Sequence, residues 1–299
     1  MVSVEERIRQ LKIEKNAVIL AHNYTSPEVQ DLADYVGDSL GLSIEASKTS
    51  ADVIVFCGVS FMGETAKILS PCKTVLLPEP EAHCAMAAMC TAEELREYKE
   101  ENPNVVIVGY VNSSAESKKE MDICCTSANV VKVIEYLKWN EILLVPDMNL
   151  GAYAAVKTGT NIELWHGFCP VHHGISASQT ESLMRKHHGA YVMAHPECRS
   201  EVLALADFVG STEGMLKEAK ASHKKEFIVL TEVGMKYRLE KENPGKVFHF
   251  PEFAVCSTMK MVTPESILRS LERGTGEVIL SKEILEGARN PVVKMIELS

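Results

Sequence analysis

Residues 21–39 read AHNYTSPEVQDLADYVGDS, and residues 194–212 read AHPECRSEVLALADFVGST. The two align without a gap, and nine of nineteen positions are identical, against about one for unrelated segments at roughly 1-in-20 odds per position. Internal similarity of this kind constrains a fold strongly, because one supersecondary unit must be built more than once. The register extends to a third, more diverged copy. His22, Tyr110 and His195 are separated by 88 and 85 residues. The same two offsets relate Ser39, Ser127 and Thr212, then Asp34, Asp122 and Asp207, then Met62, Leu150 and Met235.

Each copy alternates short apolar runs with helical patterns. In the first, NAVILAHNY, ADVIVFCGV and KTVLLPEP are separated by PEVQDLADYVGDSLGLSIEASK and FMGETAKILS. Runs rich in Val, Ile and Leu without polar alternation are strands buried on both faces, as in a parallel sheet covered by helices. The expected fold is therefore α/β: three homologous βαβαβ three-layer domains with parallel sheets around a pseudo-threefold axis. The domains are expected at 1–88, 89–173 and 174–299, the last carrying a C-terminal helical segment.

Composition narrows the function. Asp and Glu number 41 against 31 Lys and Arg, a formal net charge of −10, with the two signs interspersed and no basic tail. That argues against a nucleic-acid surface but not against a pocket for small anions. No run approaches the ~20 apolar residues of a membrane span, and the start, MVSVEERIRQLKIEK, reads as a charged amphipathic helix rather than a secretory signal. A cytoplasmic location is expected. The nine cysteines are an odd number, so metal ligation is a better expectation than a disulfide framework.

Apolar positions of the repeat are explained by packing alone. The repeated acids Asp34, Asp122 and Asp207 suit local backbone fixing, and Glu64 and Lys67 suit a solvated helix face. The in-register polar residues are different, because His22, Tyr110 and His195 follow apolar strands and Ser39, Ser127 and Thr212 precede helices. Ligands bind beyond the carboxyl ends of parallel strands, where helix N-termini present N–H groups to anions. Cysteines also recur: Cys84, Cys169 and Cys256, each at the end of its unit's third strand, lie 85 and 87 residues apart. Three converging thiolates suit zinc or an iron–sulfur cluster. With no obvious fourth ligand, one iron of a [4Fe–4S] cluster would stay open to substrate oxygen as a Lewis acid. His83, His166, His172 and His173 flank these thiols, and His172 is the best placed to line the site.

The segments LAHNY, PEVQDLADYVGDSL, YVNSSAE, CTSANV, GFCPVH, AHPEC, VGST and AVCSTMK, in this order over nearly the whole chain, resemble the quinolinate synthase family. The resemblance implies three domains about a pseudo-threefold axis and one [4Fe–4S] cluster per chain on Cys84, Cys169 and Cys256. It implies condensation of iminoaspartate (iminosuccinate) with dihydroxyacetone phosphate to quinolinate, phosphate and water, on the de novo route to NAD. It places His22, Ser39, Tyr110, Val111, Asn112, Ser127, His172, His195, Pro196, Glu197 and Thr212 around the substrates. Tyr24 and Glu197 would be general acid/base groups, with His22, Tyr110 and His195 as polarising or positioning donors. Small-molecule partners, handover from an aspartate-oxidising enzyme, no nucleic acid, no membrane and a monomer or homodimer are the associated expectations. The alternatives are another open-iron [4Fe–4S] hydro-lyase and a non-catalytic, metal-stabilised three-domain binding protein.

Overall fold

The structure is a computed structural model and describes residues 2–299. The first unit comprises α1 (Val4–Glu14), β1 (Ala17–His22), α2 (Pro27–Leu32), β2 (Tyr35–Gly37), α3 (Ser39–Lys48), β3 (Val53–Cys57), α4 (Ser60–Leu69) and β4 (Thr74–Leu76). The second runs α5 (Ala92–Glu101), β5 (Val106–Tyr110), α6 (Ala115–Lys119), β6 (Ile123–Cys125), α7 (Val130–Leu137), β7 (Ile142–Val145), α8 (Met148–Thr158) and β8 (Glu163–Leu164). The third begins with two helices, α9 (Pro170–His173) and α10 (Ala177–Lys186), followed by β9 (Tyr191–Ala194), α11 (Ser200–Leu203), β10 (Phe208–Val209), α12 (Thr212–Ala221), β11 (Glu226–Leu230), α13 (Met235–Glu242) and β12 (Val247–His249). Two further helices, α14 (Pro264–Arg273) and α15 (Lys282–Glu297), complete the chain.

The three sheets are parallel and share one topology: β2-β1-β3-β4, β6-β5-β7-β8 and β10-β9-β11-β12. Each contains one strand more than the three long apolar runs suggest. The extra strands β2, β6 and β10 are only two or three residues long, too short to show a period of their own. Period-two alternation sends successive strand residues to opposite layers. Ile19, Ala21, Val55 and Cys57 pack outward with Ile8, Leu11 and Val29, while Leu20, Ile54 and Phe56 join an inner core that runs through all three units. In the third unit Val192, Ala194, Ile228 and Leu230 face outward, and Met193, Phe227 and Val229 face inward.

The repeated acids clamp the frame. Asp34 accepts the Ile19 N–H at 2.8 Å, Asp122 the Ile107 N–H at 2.9 Å and Asp207 the Val192 N–H at 2.8 Å. Each acid's own N–H donates back to the carbonyl of that same strand residue. This reciprocal pair fixes where the central strand of each sheet begins relative to its short neighbour. Glu64 differs from the solvated face expected of it: it accepts the Ala115 N–H at 2.7 Å and so caps α6 from the preceding unit.

The C-terminal helices return to the first two units. α14 packs on α1, and α15 packs on α3, α4, α6 and β6. The Asn129 amide donates to the Met295 carbonyl at 2.8 Å, and Lys294 donates to the Asp122 carbonyl at 3.1 Å. At the turn before α15, Gly276 has φ +81° and lies so close to the Leu77 carbonyl that a Cβ has no room. Replacing Asp122 by Ala strands the partly buried Ile107 N–H, and the expected loss is about 1–3 kcal/mol, read as a lower urea midpoint with an unchanged slope.

Candidate active site

His22, Tyr110 and His195, at or just after the carboxyl ends of β1, β5 and β9 in the three parallel sheets, come together at one place. A cavity of about 360 Å³ lies there, lined by His22, Tyr24, Ser39, Tyr110, Asn112 and Ser127, and also by His172, His195, Glu197 and Thr212. Its volume is in the range of small-molecule sites. Cys84, Cys169 and Cys256 line the same cavity, and none of the other six cysteines does. Val111 and Pro196 are buried in the adjoining strand-end loops without lining it, and His83, His166 and His173 also lie off it.

The threefold register reaches further than the strand-end residues. Tyr24, Asn112 and Glu197 are also separated by 88 and 85 residues, so one position supplies a phenol, an amide and a carboxylate to the same space. One residue further, Thr25 and Ser113 donate their hydroxyls to the His22 and Tyr110 carbonyls, both at 2.9 Å. Cys198 occupies the equivalent place in the third unit, with its N–H on the His195 carbonyl and its thiol on the Leu230 carbonyl. Cys198 is thus a strand-end packing residue, buried in the outer core of the third unit.

Glu197 is buried and lies at the centre of the polar contacts. Tyr110 donates its hydroxyl to Oε1, and His172 Nδ1 approaches Oε2 at 2.7 Å. Burial opposes the charge, yet His172, His195 and these hydrogen bonds together hold the Glu197 carboxyl below its usual range. On its other edge, His172 Nε2 meets Thr231 Oγ1 at 2.8 Å, and Thr231 Oγ1 meets the Tyr24 hydroxyl at 2.7 Å. A directional chain results: Tyr24 donates to Thr231, Thr231 to His172, and His172 to Glu197. Burial first, then the Glu197 charge, pushes the Tyr24 and Tyr110 phenols well above their ordinary values, so both carry their protons.

The two strand-end histidines are neutral donors. Burial lowers His22 and His195 to about 3. His22 Nδ1 accepts the Tyr24 N–H at 3.2 Å and His195 Nδ1 accepts the Glu197 N–H at 3.4 Å, which leaves each proton on Nε2. His195 Nε2 faces Ser127 Oγ at 3.2 Å. Thr212 receives the Asn23 amide at 2.8 Å, so its own hydroxyl proton remains free. Ser39 and Thr212 are the first residues of α3 and α12, whose unpaired N–H groups sit at the cavity. No Lys or Arg lines the cavity among the described residues. The Asn112 side-chain oxygen is buried there without a hydrogen-bond partner, an acceptor that a ligand can satisfy.

Burial also pushes the Cys84 thiol up to about 12 and raises Cys169 well above its ordinary value. Cys169, His172 and Glu197 bring possible ligand atoms within 4.8 Å of one another. A second such group, His187, Glu226 and His249, lies at the amino end of β11, away from the cavity. Sequence reasoning had no signal for Thr231, which is an ordinary hydroxyl after a strand until the fold sets it between Tyr24 and His172.

The lowered histidines link stability to pH. A neutral His195 binds its proton only near pH 3 when folded but near 6.5 when unfolded, so the unfolded state takes up more protons between these values. Stability is fully present above pH 6.5 and falls as pH is lowered. Replacing His195 by Asn is expected to remove about one proton from the linkage, or about 1.4 kcal/mol per pH unit. Urea titrations of the metal-free protein between about pH 4 and 5.5, where the unfolded histidine is protonated and the folded one is not, measure the difference in slope.

The sequence profile of the family described as Quinolinate synthetase A protein matches residues 6–297. Proteins called quinolinate synthase from Methanosarcina barkeri, Dehalococcoides mccartyi and Aquifex aeolicus are 52%, 50% and 48% identical to this chain. The alignments cover 97%, 99% and 99% of this chain and 96%, 98% and 94% of theirs. With a matching profile and such relatives over almost its full length, the chain belongs to the quinolinate synthase family.

Proposed function

We propose that the cavity condenses iminoaspartate with dihydroxyacetone phosphate to give quinolinate, phosphate and water. The observation that carries this reading is the meeting of three in-register cysteines with the Tyr24–Glu197 hydrogen-bond chain in one cavity. The three thiols fit a soft-metal centre. Cys84, Cys169 and Cys256 would hold one [4Fe–4S] cluster through three irons, and its fourth iron would supply Lewis-acid chemistry toward a substrate oxygen.

Both substrates are anions, and the lining has no basic side chain to receive them. Ser39, Ser127 and Thr212, with the amino ends of α3 and α12, offer hydroxyl and N–H donors for carboxylate and phosphate oxygens. His22 and His195, neutral with the proton on Nε2, polarise carbonyl oxygen without adding charge. Asn112 satisfies its orphaned oxygen on a substrate N–H or hydroxyl.

Carbon–carbon bond formation, phosphate loss, carbonyl isomerisation, imine closure and dehydration all require proton movement. The chain from Tyr24 to Glu197 links two proton-handling groups that both line the cavity. A proton accepted at Tyr24 Oη is matched, by one shift along each hydrogen bond, with a proton delivered to Glu197. The shift reverses every donor in the chain, so the next transfer runs back. Tyr110 holds Glu197 Oε1 in place while Oε2 exchanges with His172. The reaction fits a cytoplasmic enzyme fed by an aspartate-oxidising step. Among the described residues no helix is long and apolar enough to cross a membrane.

Anaerobically reconstituted protein given both substrates is expected to form quinolinate, followed by chromatography. No quinolinate from protein with full iron and sulfide would sink the reading and favour a different hydro-lyase. Ala at Cys84, Cys169 or Cys256 is expected to abolish cluster iron, and Ala at Cys57, Cys72 or Cys90 to retain it. Tyr24→Phe and Thr231→Val are expected to keep iron content and visible absorbance yet lower kcat about 100-fold or more. Turnover unchanged in Thr231→Val would remove the hydrogen-bond chain from the mechanism.

A further inference from the structure

The cysteine-bearing loops are held by two buried acids, of which Glu232 also lines the cavity. Asp147 and Glu232 follow β7 and β11, are 85 residues apart and are fully buried. Asp147 Oδ2 accepts the Cys169 N–H at 3.2 Å, and Glu232 Oε1 accepts the Cys256 N–H at 3.1 Å. We infer that Asp147 and Glu232 are positioning residues for the second and third cysteine ligands, which rests on the ligand assignment proposed above.

The other contacts of each acid fix it as a rigid post. Asp147 Oδ1 takes the Asn149 and Leu150 N–H groups at 2.8 and 2.9 Å, as the cap of α8. Its neighbour Pro146 leaves no room for a side chain at residue 167, and Gly167 fills that place two residues before Cys169. Glu232 Oε2 takes the Gly234 N–H at 2.7 Å, and Lys260 approaches Oε1 at 2.9 Å. Lys260 also donates to the Tyr24 carbonyl. A Cβ on Gly234 would meet Lys260, Glu232 and Tyr24 at 2.6–2.8 Å. The third ligand and the acid/base tyrosine are therefore tied to one post.

The comparison among units gives the acids their meaning. At the equivalent place the first unit has Val59, and no acid among the described residues reaches its cysteine's N–H; the loop is tied instead by the Ser60 N–H on the Ala82 carbonyl at 2.8 Å and by His83 Nδ1 beside Ser60 Oγ at 3.1 Å. In units two and three the acid reaches the cysteine's own N–H. A hydrogen bond to a ligand's main-chain N–H fixes the backbone from which the thiol projects. Groups behind metal ligands typically change metal affinity about 10–100-fold when removed.

The test uses reconstituted holoenzyme challenged anaerobically with an iron chelator while the cluster absorbance is followed. Asp147→Asn keeps the shape but loses an acceptor. Glu232→Asp keeps the charge near Lys260 but withdraws it from Cys256. Each is expected to release iron about 10-fold faster or more and to shift the EPR spectrum of the reduced cluster. Asp207→Asn, an equivalent loss in the frame that touches no cysteine, is expected to leave both readouts unchanged. Release within twofold of the parent in both brace variants overturns the inference, as does an equal acceleration in Asp207→Asn. If Cys169→Ala itself retains full iron, the ligand assignment falls and takes this inference with it. If Cys169→Ala loses iron while the brace variants behave as the parent, the inference alone falls. Should Asp147→Asn fail to fold, Glu232→Asp decides the matter by itself.

Discussion

A single buried carboxylate is the interaction on which the arrangement of the three units depends. Glu197 comes from the third unit, Tyr110 from the second, and His172 from the short helix that joins them. An ionised carboxylate left alone in such a place is costly, and removing one partner of a buried pair typically costs about 3–5 kcal/mol. The units cannot separate without stranding that charge. Through Thr231 and Tyr24 the same contact set reaches the first unit, so domain packing and proton chemistry rest on the same atoms.

Around that point the threefold frame and the threefold site follow different rules. Where a residue serves the frame, the three units agree in chemistry: Asp34, Asp122 and Asp207 make one contact three times. Among residues that face the cavity, Ser39, Ser127 and Thr212 keep a hydroxyl, but Tyr24, Asn112 and Glu197 have diverged at one position. A reaction between two unlike substrates has no threefold symmetry, so identical groups at symmetric positions would serve it poorly. The thiols keep their identity because the group they are proposed to hold presents equivalent metal atoms to equivalent positions.

The parts legible in the sequence are those whose physics is local or periodic. Uninterrupted apolar runs gave the long strands of each sheet, and equal spacing gathered His22, Tyr110, His195, Ser39, Ser127, Thr212 and the three cysteines. The short strands β2, β6 and β10 carry too few residues for a period. Thr231, Asp147, Glu232 and Lys260 act through contacts that span 22 to 236 residues of chain, and an acid after a strand reads only as a helix cap. Asp147 is in fact such a cap, and its second oxygen does the other work. Glu64 misled for the same reason, since its partner is the backbone of another unit. The return of α15 over α4, α6 and β6 is likewise invisible, because an amphipathic helix does not name the surface it covers.

The electrostatics of the cavity close the argument about what it can hold. The chain carries a net charge of −10, the cavity lining has no Lys or Arg, its two strand-end histidines are neutral, and Asp38, Glu197 and Glu232 all line it. Under those conditions Cys84 and Cys169 stay protonated. Only a strongly cationic centre can draw off their protons, because thiolate ligation exchanges each proton for a bond to metal. Three deprotonated thiols would themselves offset the charge of the iron they bind, so loading the cysteines does not by itself turn the cavity positive. On the proposed reading, substrate anions are received by directed donors rather than by net charge: the hydroxyls of Ser39, Ser127 and Thr212 and the amino ends of α3 and α12, with an open iron position as the one further point of attachment for an oxygen.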